Sequence, residues 1–516
     1  MDLPENHLKH LSKHNNRLTD FSIDDCGIFF DFSRQRVNGE ILSSLIELAN
    51  EMGVKEKFQS MVAGDRINFS EKRAALHTAV RSSKSVYLDD LNIKPEMDQV
   101  KKEIRVFSED VRNGKIKGTT GKNITNIVVV GIGGSTLGTQ YVFNALEGLG
   151  NNPINTCFLS SVDIENFRAI QNKIDAEQTI WIIISKSFST VETLSNENLV
   201  KLFLIDNNLD PAKHIVTITS KGSPGNCRND ILKSFPMFDF IGGRFSVTSA
   251  VGGVPISIGL GFSVYEEILK GAELMDLHAE NKEPEENLPL IAALINIWNN
   301  HYLNYNAIGI IPYATPLLKL IFHLQQLMME SNGKSFDVNE NKLLNRSGMI
   351  VFGDQGTNAQ HSFFQLAHQG QAFPIEFIGV VKPYHEEHQK LYKGVTNHQE
   401  LWANMISQAK TLAEGNDSKD KNRYFEGNRP SSTILIESLS PLNIGKLLSF
   451  YEAKTVYEAF LININPFDQF GVELGKENAN DIRSEIEKRN NDISIKPEKS
   501  DEITEFYLNA LFSGKI

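Results

Sequence analysis

The sequence predicts an α/β protein built on two doubly wound parallel sheets. Short β-branched runs alternate with helical stretches from about residue 124, and each run is followed by turn residues. A second set of such runs begins after Glu285. Ahead of both sets, residues 1 to about 95 show helix-like periodicity with little glycine. We therefore expect two three-layer α/β/α domains with a helical N-terminal segment and a C-terminal helical arm.

The elements are expected in the following order. Apolar residues at near-helical spacing in ILSSLIELANEMGVKEKF indicate a helix in the N-terminal segment. The strands of the first set lie in ITNIVVVGIGG, TIWIIISKSFST and HIVTITSKG, and those of the second in NAIGIIPYATP and RSGMIVFGDQG. The predicted boundaries are an N-terminal segment over 1–98 that packs on the large domain, a small domain over 99–270, a large domain over 271–494 and an arm over 495–516. The arm ends in the helical stretch ITEFYLNALF.

Composition and charge narrow the possible functions. The 516 residues include 52 Lys plus Arg and 64 Asp plus Glu, a net charge of −12, which argues against a general nucleic-acid binder. The three cysteines are few, odd in number and widely spaced, which favours a reducing compartment over a disulfide framework. The N-terminus lacks the apolar core of a signal peptide. We expect a cytoplasmic protein with no membrane partner.

The first chemical motif is a glycine-rich turn over 131–138, GIGGSTLG, directly after the strand IVVV. Such a turn exposes backbone N–H groups and the positive end of a helix dipole, which together suit an anion. Thr136 stands where a dinucleotide fingerprint needs glycine, and Thr139 and Gln140 stand where a P-loop needs Lys and Ser or Thr. No nucleotide cofactor is expected, and an ordinary tight turn remains an alternative.

The second motif places five hydrogen-bonding side chains in six residues, over 185–190, SKSFST. It follows a buried strand, and ligands of open α/β sheets bind at the carboxyl ends of the strands. A phosphate site is therefore our interpretation. The alternative is a capping box that starts at Ser189 and ends at Glu192, in which case part of the cluster only begins a helix.

The third motif is a predicted helix over 315–333, with Thr315 as its N-cap and Gly333 as its end. His323, Gln326 and Glu330 would share one face of that helix. Glu330, near the helix end with a glutamine one turn behind it, is a candidate general base. A solvated surface glutamate is the alternative.

The fourth motif is GTNAQHSFFQLAHQG, over 356–370. His361, Gln365 and His368 share a helical face, but Gln365 occupies the place where a second metal-binding histidine would stand. We therefore expect no metal site. Either histidine could instead be a core residue.

Together these motifs belong to a set of seven blocks whose order resembles the glucose-6-phosphate isomerase family. The blocks are GIGGSTLG (131–138), SKSFSTVET (185–193), DFIGGRFSVTSAVG (239–252), QLMMESNGK (326–334), GTNAQHSFFQLAHQG (356–370), FEGNRPSSTIL (425–435) and NPFDQFGVELGK (465–476). The resemblance extends over nearly the whole chain from about residue 124 to residue 476 and is weaker in the N-terminal segment.

The resemblance implies two sugar-isomerase (SIS-type) domains, a homodimer with shared active sites, and no cofactor. The implied reaction is the reversible isomerisation of D-glucose 6-phosphate to D-fructose 6-phosphate in glycolysis and gluconeogenesis, by ring opening and a cis-enediol intermediate. Glu330 would be the base and Arg244 would stabilise the enediolate, while Lys476 and a partner subunit's copy of His361 would serve ring opening. The implied substrate-binding residues are Gly134, Ser135, Ser185, Lys186, Ser187, Thr190, Glu192, Gly243 and Gln326.

Two alternatives stay open at this point. A sugar-phosphate-binding regulator without catalysis would be expected to lose the base or the ring-opening groups, which this sequence keeps. A related isomerase acting on another phosphorylated sugar, such as a mannose phosphate or an amino-sugar phosphate, would differ in pocket selectivity.

Overall fold

The computed structural model describes residues 6–149, 152–345, 347–385, 389–492 and 501–516. It divides into two units, Met1–Phe467 and Asp468–Ile516. In the described ranges, no helix combines the length and apolar character needed to cross a bilayer. The predicted boundary between residues 494 and 495 lies outside the described residues, and the other predicted domain boundaries remain predictions.

The strands of the first unit, in chain order, form two large sheets and one small hairpin. They are β1 (Ser22–Asp25), β2 (Ile28–Asp31), β3 (Tyr87–Leu88), β4 (Leu91–Asn92), β5 (Asn126–Val130), β6 (Asn155–Leu159), β7 (Thr179–Ile184), β8 (Ile215–Ser220), β9 (Lys233–Met237), β10 (Ala307–Pro312), β11 (Ile350–Gly353), β12 (Ile375–Val380) and β13 (Ser431–Ile436).

The first sixteen α-helices belong to the first unit with these strands, and the last two belong to the second unit. They are α1 (Leu8–Leu11), α2 (Arg17–Asp20), α3 (Gly39–Glu51), α4 (Val54–Ala63), α5 (Lys94–Arg112), α6 (Leu137–Leu146), α7 (Ile164–Gln171), α8 (Val191–Asp206), α9 (Ala250–Gly259), α10 (Phe262–Asn281), α11 (Leu288–Ile297), α12 (Leu318–Leu324), α13 (Gly356–Gln360), α14 (Phe364–Gln369), α15 (Asn397–Glu414), α16 (Pro441–Leu461), α17 (Glu473–Asn491) and α18 (Glu502–Ser513).

The first sheet is parallel throughout and has the strand order β6-β5-β7-β8-β9. Successive side chains of β5 point to opposite faces, as in any strand. Ile127 and Val129 therefore join a central core, while Val128 and Val130 pack in a second cluster with residues of α7 and α8. Because both faces are covered by helices, the strand can be apolar along its whole length.

The second sheet has the order β1-β2-β13-β12-β10-β11, and its last four strands are parallel. The N-terminal segment, predicted as helical, also contains strands, since β1 and β2 form an antiparallel hairpin whose second strand pairs with β13. Cys26 and Gly27 connect them with φ angles of 51° and 73°. Two successive positive φ values define a tight turn whose twist matches paired strands.

Helix α16 runs through the core of the first unit and is buried along nearly all of its length. It packs against α10 and α11. A Cβ on Gly445 would lie 2.0 Å from the carbonyl oxygen of Ile268, and a Cβ on Gly271 would lie 1.9 Å from that of Leu442. Helices α10 and α16 thus approach each other backbone to backbone, and only glycine leaves room for this.

The predicted fold class is confirmed, because parallel strands alternate with helices that cover both sheets. All five strand segments named from the sequence contain strands, and the C-terminal stretch ITEFYLNALF lies within α18. The prediction did not identify β6, β9, β12 or β13.

Replacing Gly445 tests the close approach of α10 and α16. We expect Gly445→Ala to lower the free energy of unfolding by about 1–3 kcal/mol, since the added methyl group must push two backbones apart. Gly39→Ala is the matched control, because Gly39 begins α3 and a Cβ there meets nothing within 4 Å. Urea denaturation followed by circular dichroism measures both. Equal midpoints for the two variants would contradict this packing.

Candidate active site

The candidate site begins at the carboxyl ends of β5 and β7. Within the sheet, β6 lies next to β5 on one side and β7 lies next to β5 on the other, so the direction in which strands are added reverses after β6. In open α/β sheets, ligands bind at such a change of direction. The two loops that leave these strands there are the glycine-rich turn and the serine-rich segment over 185–190.

The glycine-rich turn lies directly against the loop that carries Arg244. A Cβ on Gly134 would stand 2.3 Å from the backbone carbon of Gly243 and 2.7 Å from the nitrogen of Arg244. The Ser246 hydroxyl donates to the carbonyl oxygens of Gly243 and Gly134 at 2.6 and 3.3 Å. On its other side, a Cβ on Gly133 would lie 3.2 Å from Gln326 Nε2. Three of the sequence blocks therefore meet at this turn.

The serine-rich segment presents its hydroxyl groups along an exposed turn. Ser187 and Ser189 are exposed and their hydroxyl oxygens lie 2.6 Å apart, while the buried Ser185 hydroxyl lies 3.5 Å from Thr190 Oγ1. Phe188 between them has a φ of 53°, a conformation unusual for a bulky residue. Its ring is buried against Gly225, so the ring anchors the turn while the neighbouring hydroxyl groups face outward.

The capping box considered for this segment does not form. Thr190 is the N-cap of α8, and its side chain makes no capping hydrogen bond. Ser189 bonds to Ser187 rather than to the helix backbone. Glu192 is exposed in the first turn of α8.

Lys186 lies in the same segment, but its ammonium group bonds to backbone carbonyl oxygens of the protein. It donates to the carbonyl oxygens of Asp239 and Ile241 at 2.8 and 3.1 Å. Burial lowers the pKa of Lys186. The lysine therefore ties the serine-rich segment to the strand end that leads into Gly243.

The helix that carries Glu330 differs from its prediction. Thr315–Leu317 form a 3₁₀ turn, α12 follows without a side-chain cap, and Gln325–Glu330 form a π-helical turn. Thr315 is therefore not an N-cap. The helical stretch does end before Gly333, as predicted. Within the π-helical turn, Gln326 Nε2 donates to Glu330 Oε2 at 2.8 Å.

His323 does not share the half-exposed face of Gln326 and Glu330. It is completely buried, and its ring stacks on Tyr141 with centroids 6.2 Å apart. The wider π-helical turn changes the spacing on which the predicted common face depended. Burial also lowers the pKa of His323 to about 4, so the ring is neutral near pH 7.

Among the contacts that the structure describes, Arg244 is the cation that faces the Glu330 carboxylate, whereas Lys334 Nζ donates to the backbone carbonyl oxygen of Glu330 at 2.9 Å. Arg244 Nη1 lies 3.8 Å from Glu330 Oε1, its Nε donates to Ser331 Oγ at 2.7 Å, and its Nη2 donates to the carbonyl oxygen of Pro466. The guanidinium group is buried, whereas the Glu330 side chain is 22% exposed. A fixed positive charge thus lies beside a carboxylate that a ligand can reach.

The structure does not bring His361 into this cluster. His361 is exposed on the turn after α13, and no contact found in the described residues joins it to Glu330 or Arg244. Lys476 is exposed on α17, in the second unit. His368, the other histidine of that block, bonds to Gln408 at 2.8 Å.

Sequence reasoning missed several residues that hold Arg244 in place. Besides Ser331 and Pro466, these include Phe245, whose ring lies 4.6 Å from the buried His77 and 5.8 Å from Phe467. Ser331 could have been identified from the sequence, since it lies in the block QLMMESNGK next to the predicted base. Over the described ranges, no group of three or more His, Cys, Asp or Glu side chains is placed to hold a metal ion.

Comparison with known proteins identifies the family. A family model described as phosphoglucose isomerase matches residues 31–501. This chain belongs to the phosphoglucose isomerase family. Its resemblance to that family, inferred from the seven blocks, is confirmed.

Relatives in the phosphoglucose isomerase family match almost the full chain. A glucose-6-phosphate isomerase of Desulfosudis oleivorans is 55% identical over 99% of this chain and 95% of its own length. A cytosolic enzyme of the same name from Oryza sativa subsp. japonica is 39% identical over 94% of this chain and 89% of its own. The crystal structure of a glucose-6-phosphate isomerase from Chlamydia trachomatis superimposes with a TM-score of 0.90 at 34% identity, covering 98% and 96% of the two chains.

The buried His323 predicts a pH dependence of stability. The unfolded chain binds a proton at His323 near the ordinary pKa of 6.5, whereas the folded protein does so only near 4. Stability is therefore lost as the pH falls from 6.5 to 4, by up to about 3 kcal/mol. We expect His323→Phe, which keeps a ring against Tyr141, to flatten this part of the profile.

Urea midpoints measured between pH 4 and pH 8 test this expectation. The exposed His14 provides the control, because His14→Gln should leave the profile unchanged. A His323→Phe variant that keeps the full acid loss of the wild type would refute the assignment.

Proposed function

We propose that this chain catalyses the reversible interconversion of D-glucose 6-phosphate and D-fructose 6-phosphate. The observation that carries the proposal is the cluster of Glu330, Gln326 and Arg244 beside the glycine-rich turn, with Glu330 bonded to Gln326 at 2.8 Å and facing Arg244 at 3.8 Å. The names of the family relatives, glucose-6-phosphate isomerase, support the same substrate pair.

Glu330 is proposed as the base that moves a proton between C2 and C1 of the open-chain sugar. Removing a proton next to a carbonyl group places negative charge on oxygen in the enediolate intermediate, and the protonated base then returns the proton to the neighbouring carbon. Arg244 supplies a positive charge that is fixed before the reaction begins. Such preorganised charge stabilises a developing oxyanion better than mobile water does.

The substrate phosphate is proposed to bind where the serine-rich segment meets the N-terminus of α8. Ser185, Ser187 and Thr190 offer hydroxyl donors there, and the uncapped first turn of α8 adds backbone N–H groups and the helix dipole. Ser135 and Gly134 extend the site across the glycine-rich turn. Lys186 contributes by fixing the segment through its two carbonyl partners.

Sugar-ring opening is proposed to need two further groups. The resemblance assigns them to Lys476 and to His361 of a second subunit, so the active enzyme would be a homodimer with shared sites. The exposure of His361 and its separation from the contacts around Glu330 are consistent with action on another chain. Glu192, Gln326 and Gly243 are proposed to line the sugar pocket.

A cytoplasmic location and a role in glycolysis and gluconeogenesis complete the proposal. The rice relatives are named as cytosolic enzymes. A reducing compartment suits three cysteines that are all free of disulfides in the structure.

Replacing the proposed base tests the reaction. We expect Glu330→Gln to lower kcat by about 10²–10⁴-fold with KM little changed, since the amide keeps the shape but cannot accept the proton. A coupled assay of both directions measures the rates, and Glu40→Gln, at an exposed position in α3, is the control. Full activity in Glu330→Gln would remove Glu330 as the base. Higher catalytic efficiency of the wild type on mannose 6-phosphate would favour the alternative substrate.

Mixing two inactive variants tests the shared site. If each site combines Glu330 of one chain with His361 of the other, a heterodimer of Glu330→Gln and His361→Ala contains one intact site and one doubly altered site. Subunit exchange at equal concentrations should then restore about one quarter of wild-type activity. Light scattering should show twice the chain mass of 57.9 kDa. No recovery in a mixture shown to contain heterodimers would place both groups on one chain.

A further inference from the structure

A buried hydrogen bond connects the segment of Glu330 to the central helix α16. Asn332 Nδ2 donates to Glu458 Oε2 at 3.0 Å, and Asn296 Nδ2 of α11 donates to Glu458 Oε1 at 2.6 Å. All three side chains are buried. Glu458 thus has one amide donor on each of its carboxylate oxygens, and neither donor belongs to its own helix.

Three successive residues extend from this segment in different directions. Glu330 accepts from Gln326, Ser331 accepts from Arg244, and Asn332 donates to Glu458. The residues directly after the π-helical turn are therefore fixed from two sides, by the arginine of the site and by the core carboxylate.

A π-helical turn needs this kind of support, since it is rare and occurs mostly as single turns within α-helices. Here it ends at Glu330, so relaxation toward an ordinary α-helix would turn the carboxylate relative to Arg244, which belongs to a different segment of the chain. We propose that Glu458 is a positioning residue of the isomerisation, which holds Asn332 and through it keeps Glu330 in its reactive orientation. The inference rests on the proposed function of Glu330.

The charge of Glu458 matters because of what surrounds it. The groups that face it are Lys454 on its own helix, Glu376 of β12, and the amides of Asn296 and Asn332. Burial raises the pKa of Glu458 to about 7, while Lys454 and the two amides oppose the shift. The unfolded carboxyl has an ordinary pKa of 4.5, so ionisation of Glu458 lowers the stability of the folded protein as pH rises from 4.5 to 7.

Protonation would also change the bond to Asn332. A neutral carboxyl group has an O–H donor in place of one acceptor, which opposes the Nδ2 of Asn332. Asn332 Oδ1 is buried and has no hydrogen-bond partner in the described structure, so the amide could turn to accept that proton. We therefore expect protonation of Glu458 to lower kcat as the pH falls below 7.

A reciprocal exchange of the two side chains tests the inference. In Glu458→Gln a donor replaces the acceptor that faces Asn332, and in Asn332→Asp two carboxyl groups meet. The double variant restores one donor and one acceptor with their positions exchanged, and it keeps one buried negative charge. We expect each single variant to lower kcat at least tenfold with KM within about threefold, and the double variant to recover to within about threefold of the wild type.

Glu452→Gln is the matched control on the same helix. Glu452 is also buried with its pKa raised to about 7, but it pairs with Arg81 at 2.7 Å rather than with Asn332. It should leave kcat within twofold of the wild type, and thermal unfolding reports the stability of every variant. In Glu458→Gln, the kcat profile should lose its component near pH 7 as well.

The outcomes separate this inference from the proposed function. An active wild type whose Glu458→Gln variant keeps full kcat, or a double variant as slow as the product of the single losses, would overturn the positioning role alone. A kcat loss of equal size in Glu452→Gln would also overturn it, because it would reflect general damage to the core. A folded wild type without isomerase activity would overturn the proposed function itself.

Discussion

The structure depends on the pairing of buried ionisable side chains on a helix that lies in the middle of the core. Helix α16 carries Glu452, Lys454 and Glu458, and each would be strongly destabilising without a partner of suitable charge or polarity. Arg81 pairs with Glu452, and Glu376 pairs with Lys454 at 2.9 Å. Because these partners come from different parts of the chain, satisfying them fixes α16 against several elements at once. The packing of apolar side chains alone would not define these contacts so narrowly.

The need of a buried charged group for polar partners also explains how Arg244 keeps its positive charge in the site of an acidic protein. The net charge of −12 would repel a phosphorylated ligand in the absence of local cations and donors. Arg244 is held in part by neutral oxygen atoms, those of Ser331 and Pro466, which orient the guanidinium group without cancelling its charge. Lys186 instead donates to backbone carbonyls, so the donors of the proposed phosphate site are the serine hydroxyls and the first turn of α8.

The sequence allowed the central strands of the first sheet to be predicted, whereas other strands, including β12 and β13 of the second sheet, were not identified. Strands such as β5 and β7 are buried on both faces and are therefore continuous runs of Val and Ile. The edge strands β6 and β9 contain Asn155 and Pro236, which interrupt that pattern. The hairpin of β1 and β2 was hidden because it is short and lies between helices.

In the candidate site, too, the features with a local sequence pattern were predicted and the others were not. The glycine-rich turn and the serine-rich segment could be read locally, since each consists of consecutive residues after a strand. The π-helical turn could not, because its residues also fit an ordinary helix. The bond between Asn332 and Glu458 joins residues far apart in the sequence, and no local pattern encodes such a pair. The roles of His361 and Lys476 rest on family resemblance alone.

The position of the N-terminal hairpin has a consequence for the order in which the protein folds. Strand β2 pairs with β13, and this pairing closes a loop of about four hundred residues between the two strands. On the ribosome, the hairpin emerges long before β13, the strand with which it pairs. Until then the apolar Phe30 lacks the core that buries it, and β2 has one unpaired edge that is open to pairing with other chains.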